Sequence, residues 1–119
     1  DIEAKVMAIR SGLGQHLGPG LEPLGTMVWL KLAGDVDLVI NDLRTQVYHP
    51  EAFEQLGIDL ARKSVVAVKS TFHFYAPFAR IASKVIQIGS PGGSCPDFGR
   101  FTYTRGGQDC WPQVLEALE

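Results

Sequence analysis

Thirteen glycines and seven prolines are spread through this 119-residue chain, and they limit what it can fold into more than any other feature. Glycine raises the entropic cost of ordering a helix or strand, and proline removes a backbone donor, so each tends to mark an end or a turn. The chain therefore reads as short strands and two helices separated by turns.

The first strand is expected over residues 2–9, where Ile2, Ala4, Val6 and Ala8 alternate with Glu3, Lys5, Met7 and Ile9. Residues 11–25 hold five glycines together with Pro19 and Pro23, which predicts a long loop. Residues 27–32 (MVWLKL) and 36–40 (VDLVI) read as two strands joined across the hairpin signal Gly34-Asp35. A short fourth strand is expected at 44–48. Residues 50–56 follow as a helix, with Pro50 at its first position, early glutamates and Gly57 as its stop.

The near-continuous apolar runs 64–68 (SVVAV) and 84–88 (KVIQI) are typical of strands buried on both faces. With a helical stretch between Thr71 and Ser83, they predict a parallel, right-handed crossover. Pro77 either puts the start of that helix near Ala76 or kinks it. Beyond Gly89 the chain is irregular, with Phe98, Phe101, Tyr103 and Trp111 expected to anchor it over the sheet. The fold class is thus α/β (or α+β). The expectation is one domain over residues 1–119, with a mixed β-sheet of about five to six strands, two main helices and an aromatic-rich irregular tail. Phe53, Leu56, Phe74, Phe78, Ile81 and Val85 are the candidate core and interface residues.

Eleven basic and thirteen acidic residues give a net charge of −2, so neither nucleic acid nor an anionic membrane is expected as a partner. No apolar run approaches the roughly 18 residues of a membrane span. The start, Asp1-Ile2-Glu3-Ala4-Lys5, has no signal-peptide character and no initiator methionine, so it reads as a cytoplasmic piece of something longer. Two cysteines, Cys95 and Cys110, make no disulfide framework and are expected as reduced thiols.

The strongest candidate chemistry is Lys69-Ser70-x-x-His73, at the expected end of a buried strand and mouth of a helix. Open sheets place ligand clefts at strand ends, and the free N–H groups that open a helix favour an anion. Lysine offers a point charge, serine a donor, and histidine a donor or proton carrier near neutrality. The plainer reading has Ser70 capping the helix while Lys69 and His73 are ordinary surface or interface residues. Arg44 suits bidentate pairing with a carboxylate, or a surface salt bridge to Asp42 or Glu51. His16, His49, His73 and the cysteines follow no metal-ligand spacing, so no metal site is expected within this chain. Ser70 and His73 without an orienting carboxylate or oxyanion hole make no catalytic set. Residues 89–94 (GSPGGS) read as a tight turn, in which Asp97 accepts backbone hydrogen bonds or contacts a ligand.

Four blocks in order carry a family resemblance. They are Arg44-Thr45-Gln46 with Pro50-Glu51-x-Phe53 and Leu56-Gly57-Ile58-Asp59; then Val68-Lys69-Ser70-x-x-His73-Phe74 with Phe78 and Ile81-Ala82; then Ser90-Pro91-Gly92 with Ser94, Pro96 and Asp97; and finally Trp111-Pro112. Over roughly residues 27–112 the chain resembles the C-terminal domain of the microcystinase C-like zinc metallopeptidases. It departs from that pattern at His49, Phe72, Tyr75 and Cys95.

The resemblance implies an auxiliary domain of a zinc-dependent amide or peptide hydrolase, flanking the substrate cleft. By the same resemblance, zinc would be held by an N-terminal metal-binding domain of the same protein and not by this chain, which would carry no catalytic residue. Lys69, Ser70, His73, Arg44 and Asp97 would contact a peptide or small amide substrate, or the neighbouring domain. Two other readings stand beside it: a free-standing module binding a small anion, and a structural domain serving homo-oligomerisation.

Overall fold

The computed structural model describes residues 2–89 together with 99, 101, 102, 104 and 105. The chain forms two compact units, Asp1–Val85 and Ile86–Glu119. The first holds every helix and strand discussed below. Asp97, both cysteines and the aromatic anchors Phe98, Tyr103 and Trp111 lie outside the described residues.

Three antiparallel strands make one sheet in the order β1-β2-β3: β1 is Ala4–Leu17, β2 is Gly20–Leu32 and β3 is Asp37–Asn41. The loop expected over residues 11–25 is instead the far half of a long hairpin. Its glycines shape the ladder without breaking it. Gly18, at φ 59, opens the two-residue connection to Gly20, a left-handed conformation that glycine reaches without a side-chain clash. Gly12, at φ 69, lies in the register shift between Arg10 and Leu13, as glycine does in a β-bulge. Pro23 pairs with Gly14 beyond the reach of β3, where β2 has become an edge strand and a missing donor costs little.

The expected hairpin of residues 27–40 is present, turned by a 3-10 segment at Ala33–Asp35. Two helices follow, both shorter than expected: α1 at Glu51–Glu54 and α2 at Tyr75–Ala79. Pro50 precedes α1, and Gly57, at φ 93, ends the turn that follows it, with Ile58 N–H reaching back to the Phe53 carbonyl at 3.2 Å. Pro77 falls within the first turn of α2, where its missing N–H would have had no partner in the helix.

The sheet is antiparallel, not mixed, and the expected parallel crossover is not formed among the described residues. Segments 44–48, 64–68 and 84–88 run without ladder pairing. Residues 64–68 nevertheless keep the alternation of a strand: Val66 and Val68 pack on the core while Val65 faces out. Their apolar character reflects packing on one side, not burial on both.

The core joins Leu24 and Met27 of β2 to Ala52, Leu56, Ile58, Leu60, Phe74 and Phe78. Phe53 and Val85 pack at its margin, and Ile81 is exposed. Asp37, at the start of β3, ties the sheet to the loop after Leu60–Arg62. It accepts from Trp29 Nε1 at 2.7 Å, from Lys31 Nζ at 3.2 Å and from Lys63 Nζ. Burial alone would raise its pKa, but the bonds from Lys63, Trp29 and Lys31 outweigh that and bring it from 3.8 to about 2. A lowered folded-state value contributes stability that is present above the unfolded pKa and is lost as pH falls towards the folded one. The urea midpoint should therefore drop as pH falls from roughly 4 towards 2, and Asp37→Asn should flatten that part of the profile. An unchanged slope in the variant would show that other carboxylates carry the acid sensitivity.

The other face of the sheet is aliphatic and, among the described residues, left partly exposed. Cross-strand partners share a face, and on this one Leu30 of β2 pairs with Val6 of β1 and Leu38 of β3, while Val28 of β2 pairs with Ile9 of β1 and Ile40 of β3. Val6, Ile9, Leu38 and Ile40 are 54%, 61%, 40% and 48% exposed. An antiparallel sheet facing water normally alternates to polar residues on that side. Here it does not.

Candidate functional site

The site begins at Gln15, which β1 carries to a fully buried position. Its Nε2 donates to the Gln46 carbonyl at 2.6 Å, and its Oε1 accepts the N–H groups of Tyr48 at 2.8 Å and His49 at 3.2 Å. One amide side chain thus replaces the ladder that segment 44–48 lacks. Gln55 adds a second tie, its Nε2 donating to the Gly14 carbonyl at 2.7 Å.

Gln46 passes the order on to the second segment. Its Oε1 accepts the Ser70 hydroxyl at 3.0 Å and the Thr71 N–H at 3.2 Å. Beside it, Tyr48 and His73 meet edge to face, with ring centroids 5.6 Å apart, and Phe72 meets His73 in the same way at 6.3 Å. Ser70 and His73 are therefore both held against residues 46–48.

The Ser70 hydroxyl proton is committed to Gln46, so Ser70 does not cap α2, which starts only at Tyr75 with no side-chain cap. The expectation that the cluster opens a helix is corrected accordingly. A helix of this length offers no anion site at its mouth, and the loop geometry is fixed by Gln46 instead. Ser70 also makes no hydrogen bond to His73, so the two do not form a nucleophile and base pair.

Lys69 and Arg44 are both exposed and, among the described residues, pair with no carboxylate. The salt bridge expected from Arg44 to Asp42 or Glu51 is absent because both acids are engaged elsewhere. Asp42 Oδ1 accepts the Thr26 N–H at 2.8 Å. Glu51 takes the His16 N–H at 2.9 Å and His16 Nδ1 at 2.9 Å. His49 Nδ1 lies 3.4 Å from both the Glu51 N–H and its carboxylate, so its tautomer selects which of the two it meets. Burial pushes the Glu51 carboxyl up, but the hydrogen bonds from His16 and the charge of the two imidazoles leave it below its usual value.

Among the described residues no three His, Cys, Asp or Glu side chains are arranged to hold a metal. No described helix is long and apolar enough to cross a membrane.

Sequence reasoning singled out Arg44, Lys69, Ser70 and His73, which lie on the two segments that the structure joins; Asp97, singled out with them, lies outside the described residues. It missed Gln15, Gln46 and Tyr48. An uncharged glutamine inside a glycine-rich stretch gives no local signal of its partners. Gln46 stood beside Arg44 but carries no chemistry that singles it out.

The family model described as the MlrC C-terminus matches residues 1–105. Microcystinase C of Sphingomonas sp is 32% identical over 90 residues, which cover 76% of this chain and 18% of that relative. The chain thus spans less than a fifth of the length of the relative it matches.

Proposed function

The chain belongs to the MlrC C-terminus family, and on that premise we propose that it is an accessory domain of a microcystinase-type, zinc-dependent amide hydrolase. In this reading the metal is held by another domain of the same protein. The exposed residues Lys69, His73 and Arg44, with Ser70 and Asp97, face the substrate cleft or the neighbouring domain. Segments 64–68 and 84–88 would find ladder partners there and extend the sheet towards the expected five to six strands.

The observation that carries this reading is the aliphatic sheet face of Val6, Ile9, Val28, Leu30, Leu38 and Ile40. Contiguous apolar surface of this kind marks an interaction site. Covering the exposed part of these side chains is worth roughly 1 kcal/mol each, about 6 kcal/mol together. Association of two free molecules costs about 4–15 kcal/mol in lost freedom of motion, which this face alone would barely offset. A covalently linked domain avoids much of that cost through its high effective concentration. The occupant is therefore a linked domain and not a second copy.

The test is a chimera in which this chain replaces the matched segment of Microcystinase C. It should retain amide hydrolysis within about tenfold of the parent, and Leu30→Asp with Ile40→Asp should reduce turnover by a further hundredfold or more, about 2.7 kcal/mol. The same double variant of the isolated chain should remain folded by circular dichroism. An active charged-face chimera would overturn the docking role. So would dimerisation of the isolated chain through this face at micromolar concentration. Stoichiometric zinc binding with peptide turnover by the isolated chain would overturn the accessory role.

A further inference from the structure

We propose that the ring row Tyr48–His73–Phe72, together with Lys69 and Arg44, forms a binding site for an aromatic carboxylate. This deepens the preceding reading and rests on its assignment of Lys69, His73 and Arg44 to the substrate side.

Three observations converge on it. Phe72 is 72% exposed although it belongs to no helix or strand and lies outside the core. An aromatic ring left in water beside other rings presents a surface on which a further ring can pack edge to face or offset. Secondly, the row is held in place. The Thr71 N–H and Ser70 hydroxyl are fixed on Gln46, and the buried Gln15 fixes the backbone at Gln46 and Tyr48. A ligand would therefore meet rings that are already positioned, with less ordering cost than a free loop would impose.

Thirdly, the two segments joined by Gln46 each carry an exposed cation with no carboxylate partner among the described residues. Lys69 immediately precedes Ser70, and Arg44 stands two residues before Gln46. Asp42 and Glu51, which flank Arg44 in the chain, are occupied by Thr26 and by His16 and His49. Positive charge without a carboxylate partner favours an anionic ligand, and Arg44 suits a carboxylate in particular. A single exposed ion pair is too weak to select a ligand. Rings alone would take any apolar group. Their combination selects a molecule that carries both a ring and a carboxylate, such as a peptide ending in an aromatic residue.

The probe is N-acetylphenylalanine, titrated into the chain and followed by amide chemical shifts. N-acetylphenylalaninamide removes the charge, and acetate removes the ring. Saturable shifts at residues 46–48 and 69–73 are expected, with affinity on the order of millimolar for an open surface site. The amide and acetate should each bind at least about fivefold more weakly. Phe72→Ala and Lys69→Gln, both at exposed positions, should each weaken the acid by about fivefold or more while leaving shifts elsewhere unchanged. Equal binding of the acid and its amide, equal binding of acetate, no effect of Phe72→Ala, or no saturable shift in these segments would each overturn the proposal. Such a failure would leave the docking reading standing, because that reading is tested by turnover of the chimera.

Discussion

Gln15→Leu is expected to lower stability by about 3 kcal/mol or more, although leucine is close in size and more apolar. The substitution leaves the Gln46 carbonyl and the N–H groups of Tyr48 and His49 without their side-chain partner. Each buried group left unpaired costs about 1–3 kcal/mol, while the gain from one extra apolar side chain is smaller than the sum. The effect should reach further than stability. Once residues 46–49 are released, Gln46 no longer holds Ser70 and Thr71 in register, and the site loses its frame. Urea unfolding gives the first quantity, and amide exchange at 46–49 and 70–71 gives the second. A loss below 1 kcal/mol with unchanged protection would show that segment 44–49 is held by packing alone.

Phe78→Ala is expected to cost about 3–5 kcal/mol, the range for truncating a buried aromatic ring. Phe78 is 6% exposed and is the only buried residue of α2. Its ring meets Phe53 at 6.3 Å and Phe74 at 6.5 Å, which joins the turn around α1 to the turn around α2. A helix of five residues cannot persist without tertiary contacts, so its existence depends on this anchor. Small domains hold about 5–15 kcal/mol in all, so a loss of this size would leave little margin. Phe72→Ala, at a neighbouring but exposed ring, should change the urea midpoint hardly at all. Similar losses for the two would mean that the exposed ring row contributes to the core.

Local chemistry made part of this architecture readable in advance. The hairpin of β2 and β3 follows from two apolar runs around Gly34-Asp35. The bounds of the α1 turn follow from Pro50 and Gly57, because both act on their own backbone. Arg44, Lys69, Ser70 and His73 were recognisable as chemistry-bearing residues for the same reason.

The far half of the first hairpin was not readable, because a glycine gives the same signal whether it sits in a loop or in a bulge. Only the pairing of β1 with β2 decides between them. The valine-rich run at 64–68 misled in a similar way. Apolar composition records that a segment packs, not that it has ladder neighbours.

By itself, then, the sequence determined the hairpin of β2 and β3, the bounds of the α1 turn, the apolar segments and the family. Tertiary structure decided which segments meet. The bonds from Gln15 to residues 46–49 and from Gln46 to residues 70 and 71 span 24 to 34 positions. Neutral polar side chains such as these carry no pattern until the fold brings their partners within hydrogen-bonding distance.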